Sequence, residues 1–175
     1  MQHIPWNGDM AEFPEPLRMY LRPGHVFDSS SSAEATVYYS DIGQGCYIKK
    51  ARHGALRNEA AMTRYFHDKG LSAAVLHYGQ DHDGNDWLAT ACLPGDDCTA
   101  SLYVREPERL SAVLGRRLRM LHEQDPTGCP VSNRTKDYLA TVKRNHAQGC
   151  ADRSFFTQVY GKRRHRIDIS PGAAA

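Results

Sequence analysis

Short, largely apolar stretches bounded by polar and glycine-containing segments recur along the first hundred positions of the chain, and this pattern predicts β-strands. β-Branched and aromatic residues, which fit the pleated surface of a sheet, are concentrated in the same stretches. The predicted strands cover residues 25–27, 35–39, 46–50, 73–78 and 87–93. Glycine-containing turns join the second strand to the third and the fourth to the fifth, so both pairs are predicted to be hairpins.

A helix is predicted between the two hairpins. Leu56, Glu59, Met62 and Phe66 recur at the spacing of one helix face, and Gly70 is a natural C-terminal stop. One helix beside a small antiparallel sheet, with no strand–helix–strand alternation, places this part of the chain in the α+β class.

The pattern becomes helical after Pro94-Gly95. A stripe of leucines at helical spacing predicts a helix that starts at Pro107 and ends near His122. These leucines are Leu110, Leu114, Leu118 and Leu121. A second helix is predicted over residues 133–148, with Tyr138, Leu139 and Val142 turned inward.

The two ends of the chain lack core-forming periodicity. Four prolines within residues 1–24 predict an N-terminal extension that wraps over the surface, with at most a short helix near residues 17–21. Residues 157–175 contain a basic run at 162–166 and are predicted to be a disordered tail. Between them lie a sheet-containing lobe, 25–95, and a helical part, 96–156.

Composition excludes several classes of protein. With 41% hydrophobic and 24% charged residues the chain is typical of a soluble globular protein, and a net charge of +2 argues against a nucleic-acid partner. The five cysteines are scattered with no CxxC pair, so neither a zinc cluster nor a disulfide framework is predicted. We see no signal peptide and no apolar run of membrane-spanning length, so the expected location is the cytoplasm and no membrane partner is expected.

Asp81, Asp83 and Asp86 lie between the last two predicted strands and raise the question of calcium binding. An EF-hand loop requires glycine at its sixth position and a closing glutamate, whereas Gly84 stands at the fourth. A polar hairpin turn at Asp83-Gly84 is therefore favoured.

The candidate chemistry centres on Lys49 and Glu59. Lys49 lies on a predicted strand that leads into the helix carrying Glu59. A carboxylate among apolar helix neighbours costs several kcal/mol, as an order of magnitude, unless a cation satisfies it. A strand lysine held by a helix glutamate is how kinase-type folds aim an ammonium group at ATP phosphates.

Seven short segments surround this pair in a fixed order. They are Ser32-Ala33-Glu34-Ala35-Thr36-Val37-Tyr38, Tyr47-Ile48-Lys49, Asn58-Glu59-Ala60-Ala61-Met62, Asp86-Trp87-Leu88, Pro94-Gly95-Asp96-Asp97, Leu121-His122 and Asp125-Pro126-Thr127-Gly128-Cys129-Pro130. Together they resemble the aminoglycoside 3'-phosphotransferases, bacterial antibiotic-resistance kinases with a protein-kinase-like fold. The resemblance runs from about Phe27 to about Phe156.

This resemblance implies a kinase-like N-terminal lobe over residues 25–95, followed by the first helices of a helical C-terminal lobe. It also implies ATP and Mg²⁺ as cofactors and an aminoglycoside as substrate. Lys49 would contact the α- and β-phosphates, and Glu59 would hold it in place.

The resemblance implies further nucleotide contacts. Tyr47 would lie against the adenine, and the backbone of the hinge formed by Thr90, Ala91 and Cys92 would bind its edge. Ser32 or its neighbours would form the phosphate-covering loop, although the expected serine falls nearer Ala33 by strict counting.

The catalytic motifs of the same kinases are missing. Their base comes from a His-Gly-Asp loop and their Mg²⁺ ligands from an Asp-x-Gly segment, and no His-Gly-Asp occurs here. Asp41-Ile42-Gly43 is a predicted turn in the wrong lobe, and Ile167-Asp168-Ile169-Ser170 lacks the glycine. No catalytic residue or metal ligand is therefore assigned. The chain is expected to be truncated and inactive, with an apolar helix face exposed for self-association.

Three functions stay open. The first is a kinase of the aminoglycoside type, or of another small hydroxylated substrate. The second is a non-catalytic remnant that binds nucleotide or dimerises. The third, a nucleic-acid role through residues 162–166, is disfavoured by the near-neutral charge.

Overall fold

The structure is a computed structural model that describes residues 3–95, 98, 100–132 and 135–149. It divides into two units, Met1–Ser132 and Asn133–Ala175, each described here by itself. The predicted disordered tail, 157–175, lies outside the described residues.

The first unit is built on a six-stranded antiparallel sheet. The strands are β1 (Ile4–Pro5), β2 (Val26–Asp28), β3 (Thr36–Ser40), β4 (Cys46–Ala51), β5 (Val75–Gln80) and β6 (Asp86–Ala91), and their spatial order is β1-β2-β3-β4-β6-β5. Helix α1 (Arg57–His67) connects β4 to β5, and α2 (Ser101–Arg105) and α3 (Pro107–His122) follow the sheet. The predicted α+β class, the five predicted strands and the two predicted helices that correspond to α1 and α3 are confirmed, and the third predicted helix is found in the second unit as α4 (Thr135–Ala147). β1 and the one-turn α2 were not predicted.

Strand alternation assigns the residues of the central strands to two faces. Tyr38, Ile48 and Ala89 lie opposite one another across β3, β4 and β6. Their immediate neighbours Lys49 and Leu88, which are also paired, point to the other side. The first side, which we call the back face, is buried, and the second, the front face, is partly open.

The back face is covered by the N-terminal segment. Two 3₁₀-helical turns, Met10–Glu12 and Glu15–Tyr20, bring Phe13 and Leu17 onto the sheet, where they are 1% and 0% exposed. The Phe13 ring packs edge-on against Tyr38 at 4.9 Å between centroids. The prediction that this segment wraps over the surface was wrong for Phe13 and Leu17. The prolines shape short turns that have no helical or strand periodicity in the sequence, yet these turns still place large side chains in the core.

The front face is shared between α1 and an open cleft. Leu56 and Ala60 of α1 pack with Ala51 and Leu88 in a second buried cluster. The Leu71 amide donates to the Phe66 carbonyl and Gly70 has φ +70°, so the predicted glycine stop of α1 is confirmed. The helix covers only part of the face, and the rest of it stays accessible.

The β5–β6 hairpin turns at Gly84, which has φ +81°. Its loop is organised by Asp81, whose carboxylate accepts hydrogen bonds from the Asn85 amide and the Trp87 indole, both at 2.8 Å. Within the described residues no group of three or more His, Cys, Asp or Glu side chains could hold a metal. The predicted polar turn is confirmed.

The lowered pKa of Asp81 predicts that the fold loses part of its stability in acid. Burial raises its pKa, but hydrogen bonds from Trp87 and Asn85 and the nearby Lys50 outweigh that effect and lower the pKa from 3.8 to about 2. Because the folded pKa lies below the unfolded value, this stabilisation is complete above about pH 4 and is lost between about pH 4 and 2. We expect Asp81→Asn to lower the free energy of unfolding by about 1 kcal/mol at pH 7, allowing for solvent screening, and the difference to close toward pH 2.

Urea unfolding of both proteins at several pH values measures this difference. Asp83→Asn in the same turn is the control, since its side chain is 66% exposed. A constant difference between wild type and Asp81→Asn across this pH range would contradict the prediction.

The apolar stripe of α3 is largely uncovered. Leu114, Leu118 and Leu121 are 43%, 54% and 38% exposed. In the second unit, α4 (Thr135–Ala147) likewise exposes Tyr138, Leu139 and Val142, which were predicted to face inward. Neither α4 nor any other helix in the described parts of the chain is long and apolar enough to cross a membrane.

Candidate functional site

A cleft of about 250 Å³ lies on the open part of the front face. It is lined by Ser29, Ser31, Val37, Tyr47, Lys49, Glu59, Leu88 and Thr90. Two cross-strand rows form its floor: Tyr47 lies opposite Thr90, and two residues further along β4 Lys49 lies opposite both Val37 and Leu88. One end of the cleft is therefore aromatic and the other is charged.

Lys49 and Glu59 meet in this cleft. The Lys49 Nζ donates to both carboxylate oxygens of Glu59, at 3.2 and 2.8 Å. Strand alternation puts Lys49 on the front face, and Glu59 lies in the first turn of α1, which begins beside that face. The predicted pairing is confirmed.

The predicted environment of Glu59 was wrong. Its side chain is 45% exposed and that of Lys49 33%, so neither is a core charge. Glu59 lies at the edge of the α1 apolar face, where the helix borders the open cleft. Such a half-solvated pair stabilises a fold by about 0–1 kcal/mol, so its main effect is to position the ammonium group.

Asp86 determines where α1 begins, and therefore where Glu59 lies. Leu56 occupies the N-cap position of α1, and its side chain makes no capping hydrogen bond. The Leu56 amide instead donates, at 2.9 Å, to Oδ2 of Asp86, which is fully buried. Gln80 Nε2 and the Tyr78 hydroxyl also donate to this carboxylate, at 3.0 and 3.3 Å. Burial raises the pKa of Asp86, but these hydrogen bonds outweigh it and hold the pKa below its usual value.

Sequence analysis missed this role of Asp86. The available signal was the apolar Leu56 at the N-cap position of α1, because its buried amide requires an acceptor from elsewhere.

The phosphate-loop prediction named Ser32 and Ala33, and the structure brings different residues of the loop to the cleft. Ser32 forms an isolated bridge with Ala35, and Ala33 lies in the turn between them. In the described structure the loop residues that line the cleft are Ser29 and Ser31. The nucleotide roles of Ser32 and Ala33 stay predictions.

Tyr47 and the hinge segment form the aromatic end. The Tyr47 ring lines the cleft and packs on Tyr39, with centroids 5.1 Å apart. Thr90 also lines the cleft, whereas the Cys92 amide donates to the Gly45 carbonyl at 2.9 Å and the Ala91 amide donates to the Ala74 carbonyl at 2.9 Å. An adenine edge could therefore reach the Cys92 amide only in competition with an existing hydrogen bond.

A larger hollow of about 520 Å³ lies between the N-terminal segment and the β5–β6 turn. Two of its charged side chains are already engaged: Arg18 donates to the Phe13 and Ala11 carbonyls, and Asp81 organises the turn. We therefore place the candidate site in the smaller cleft, where an ammonium group faces open space.

Comparisons with known proteins identify the family of the chain. Residues 29–162 match the family described as "Phosphotransferase enzyme family". A curated protein of Lactococcus lactis subsp. lactis (strain IL1403), "Probable aminoglycoside 3'-phosphotransferase", is 36% identical over 137 residues, which are 78% of this chain and 52% of that protein.

A solved structure is similar as well. The crystal structure of an aminoglycoside-3'-phosphotransferase of type VIII superposes with a TM-score of 0.53 at 25% identity, covering 71% of this chain and 47% of that one. The chain thus spans about half the length of the relatives it matches. The predicted kinase-like N-terminal lobe and the predicted family resemblance are confirmed.

Proposed function

This chain belongs to the phosphotransferase enzyme family, and on that premise we propose that its cleft binds ATP for phosphoryl transfer of the aminoglycoside kinase type. The observation that carries the proposal is the Lys49–Glu59 ion pair at the charged end of the cleft. The acceptor would be a hydroxyl group of an antibiotic, and the setting would be antibiotic resistance in the cytoplasm.

The proposed nucleotide position follows the two rows of the cleft floor. Tyr47 and Thr90 would take the adenine, and the Lys49 ammonium would contact the α- and β-phosphates while Glu59 holds it. The loop over residues 29–35, which is rich in small residues, would cover the phosphates. Domain boundaries at 25–95 for the nucleotide lobe and 96–156 for the helical part remain part of this proposal.

Magnesium would accompany the nucleotide, and when bound it would neutralise charge on the phosphates. The described residues of this chain do not form a ligand set for it, so we assign it no protein ligand.

We further propose that the 175 residues bind nucleotide without transferring its phosphoryl group. They contain no His-Gly-Asp, so no residue is assigned to orient the acceptor hydroxyl. A non-catalytic or self-associating remnant is the alternative, favoured by the exposed leucines of α3. A sedimentation coefficient that rises with protein concentration would favour that alternative.

A thermal-shift titration tests the proposed function. With Mg-ATP at about ten times its dissociation constant, the chain should gain about 1.4 kcal/mol, or roughly 3 °C in Tm. Adenosine at the same concentration is the control and should give a smaller shift. The absence of any shift at millimolar ATP would contradict nucleotide binding, and a phosphate adduct on kanamycin, found by mass spectrometry, would contradict the proposed inactivity.

A further inference from the structure

Ser29 has a buried hydroxyl group without a partner. The residue is 5% exposed, and among the described residues its Oγ is the one buried side-chain nitrogen or oxygen that makes no hydrogen bond. Buried polar groups are almost always paired, so an exception in a native fold calls for a functional explanation.

Hydrogen bonds of the groups around the Ser29 hydroxyl hold this loop in place. The Ser30 Oγ accepts from the Val37 amide at 3.0 Å, and the Asp28 carboxylate accepts from the Ser30 amide at 2.8 Å. The Ser29 amide donates to the Val37 carbonyl at 2.8 Å. The loop is therefore fastened without the Ser29 hydroxyl.

Ser29 extends the charged row of the cleft floor. It continues the β2–β3 register, in which Asp28 lies opposite Tyr38, so Ser29 lies opposite Val37, and Val37 in turn lies opposite Lys49. Residues opposite one another in an antiparallel sheet share a face. Ser29 and Lys49 thus stand about 10 Å apart, two strand spacings, on the same side of the sheet.

We propose that the Ser29 hydroxyl donates a hydrogen bond to a phosphate oxygen of the bound nucleotide. This inference rests on the proposed function and assigns one more of its contacts. Phosphate is favoured over the base because Ser29 shares its row with the Lys49 ammonium and not with Tyr47. A serine side chain changes between staggered χ1 positions at low cost, so the Oγ can turn toward a ligand in the cleft that Ser29 lines.

The proposal predicts opposite effects on the free and the bound protein. Without nucleotide, Ser29→Ala removes a buried group that has no partner, so the Tm of the free protein should not fall. With nucleotide, the variant lacks a hydrogen bond to a charged group, so the dissociation constant should rise about tenfold. A serine that stabilised the loop would instead lower the Tm of the free protein.

The experiment measures binding of ATP, ADP and adenosine to the full chain by competition with mant-ATP, together with the Tm of each free variant. Ser29→Ala is compared with Ser72→Ala, the same substitution at a residue outside both the 29–35 loop and the cleft lining. We expect ATP and ADP to bind Ser29→Ala about tenfold more weakly, adenosine to bind it unchanged, and Ser72→Ala to behave as wild type.

Three results would overturn the inference: unchanged ATP affinity in Ser29→Ala, an equal loss of affinity for adenosine, or an equal loss of ATP affinity in Ser72→Ala. If the wild type binds ATP and Ser29→Ala binds it equally well, this inference fails and the proposed function stands. If wild type binds no ATP, both fail together.

Discussion

Replacing Asp86 with alanine is expected to lower the free energy of unfolding by about 3 kcal/mol. The carboxylate is fully buried and accepts hydrogen bonds from Leu56, Gln80 and Tyr78. Alanine would leave buried donors without an acceptor, at about 1–3 kcal/mol each with incomplete additivity, and would remove the cap of α1. It would also remove a negative charge from the helix N-terminus, where such a charge is favourable.

Chemical denaturation followed by tryptophan fluorescence measures this loss. Asp83→Ala removes the same charge from an exposed position three residues away and should change stability by less than about 0.5 kcal/mol. Asp86→Asn should fall between the two, because its amide oxygen can accept while its NH₂ group faces donors. A loss below about 1 kcal/mol in Asp86→Ala would show that α1 does not depend on this cap.

Replacing Lys49 with alanine is expected to have the reverse profile, a large effect on binding and a small one on stability. The ammonium is the cation that faces the cleft beside Ser29 and Ser31, and charge-assisted contacts to phosphate are among the strongest hydrogen bonds. We expect ATP affinity to fall about 100-fold, equivalent to about 2.7 kcal/mol. The free protein should lose about 1 kcal/mol at most, because the ion pair with Glu59 is half-solvated.

Lys50→Ala is the matched control. Lys50 is the next residue on β4 and points to the back face, where its Nζ lies 5.0 Å from the Trp87 ring centroid and 4.0 Å from an Asp81 oxygen. The Lys50→Ala substitution removes the same charge as Lys49→Ala but leaves the cleft unchanged, so the ATP-dependent thermal shift should persist. Equal losses of binding in both variants would indicate a general charge effect and contradict a specific role for Lys49.

The strands and the ion pair could be predicted because their signals are local. Strand alternation determines which residues of β4 share a face, and this places Lys49 and Tyr47 on one side and Ile48 on the other. Helix periodicity similarly places Glu59 near Leu56. Ten residues separate the two charges in the sequence, so predicting the ion pair required only that one strand and the adjacent helix be predicted correctly.

The rest depends on contacts between distant segments. Asp86 lies 30 residues from the amide that it caps, and nothing near Leu56 specifies which acceptor will arrive. Four consecutive serines, 29–32, offer equivalent hydroxyl groups, and only the register of β2 against β3 distinguishes Ser29 from Ser32. The orientation of these side chains is therefore a property of the assembled sheet.

The N-terminal segment that covers the back face has a practical consequence for where a fragment of this protein should begin. The match to the family begins at residue 29, yet Phe13, Leu17 and Val26 belong to the same buried cluster as Tyr38 and Ile48. A recombinant fragment trimmed to that match would lose these residues and leave a bare aliphatic and aromatic patch, which invites aggregation. Expression of this lobe should therefore retain the residues that precede the family match.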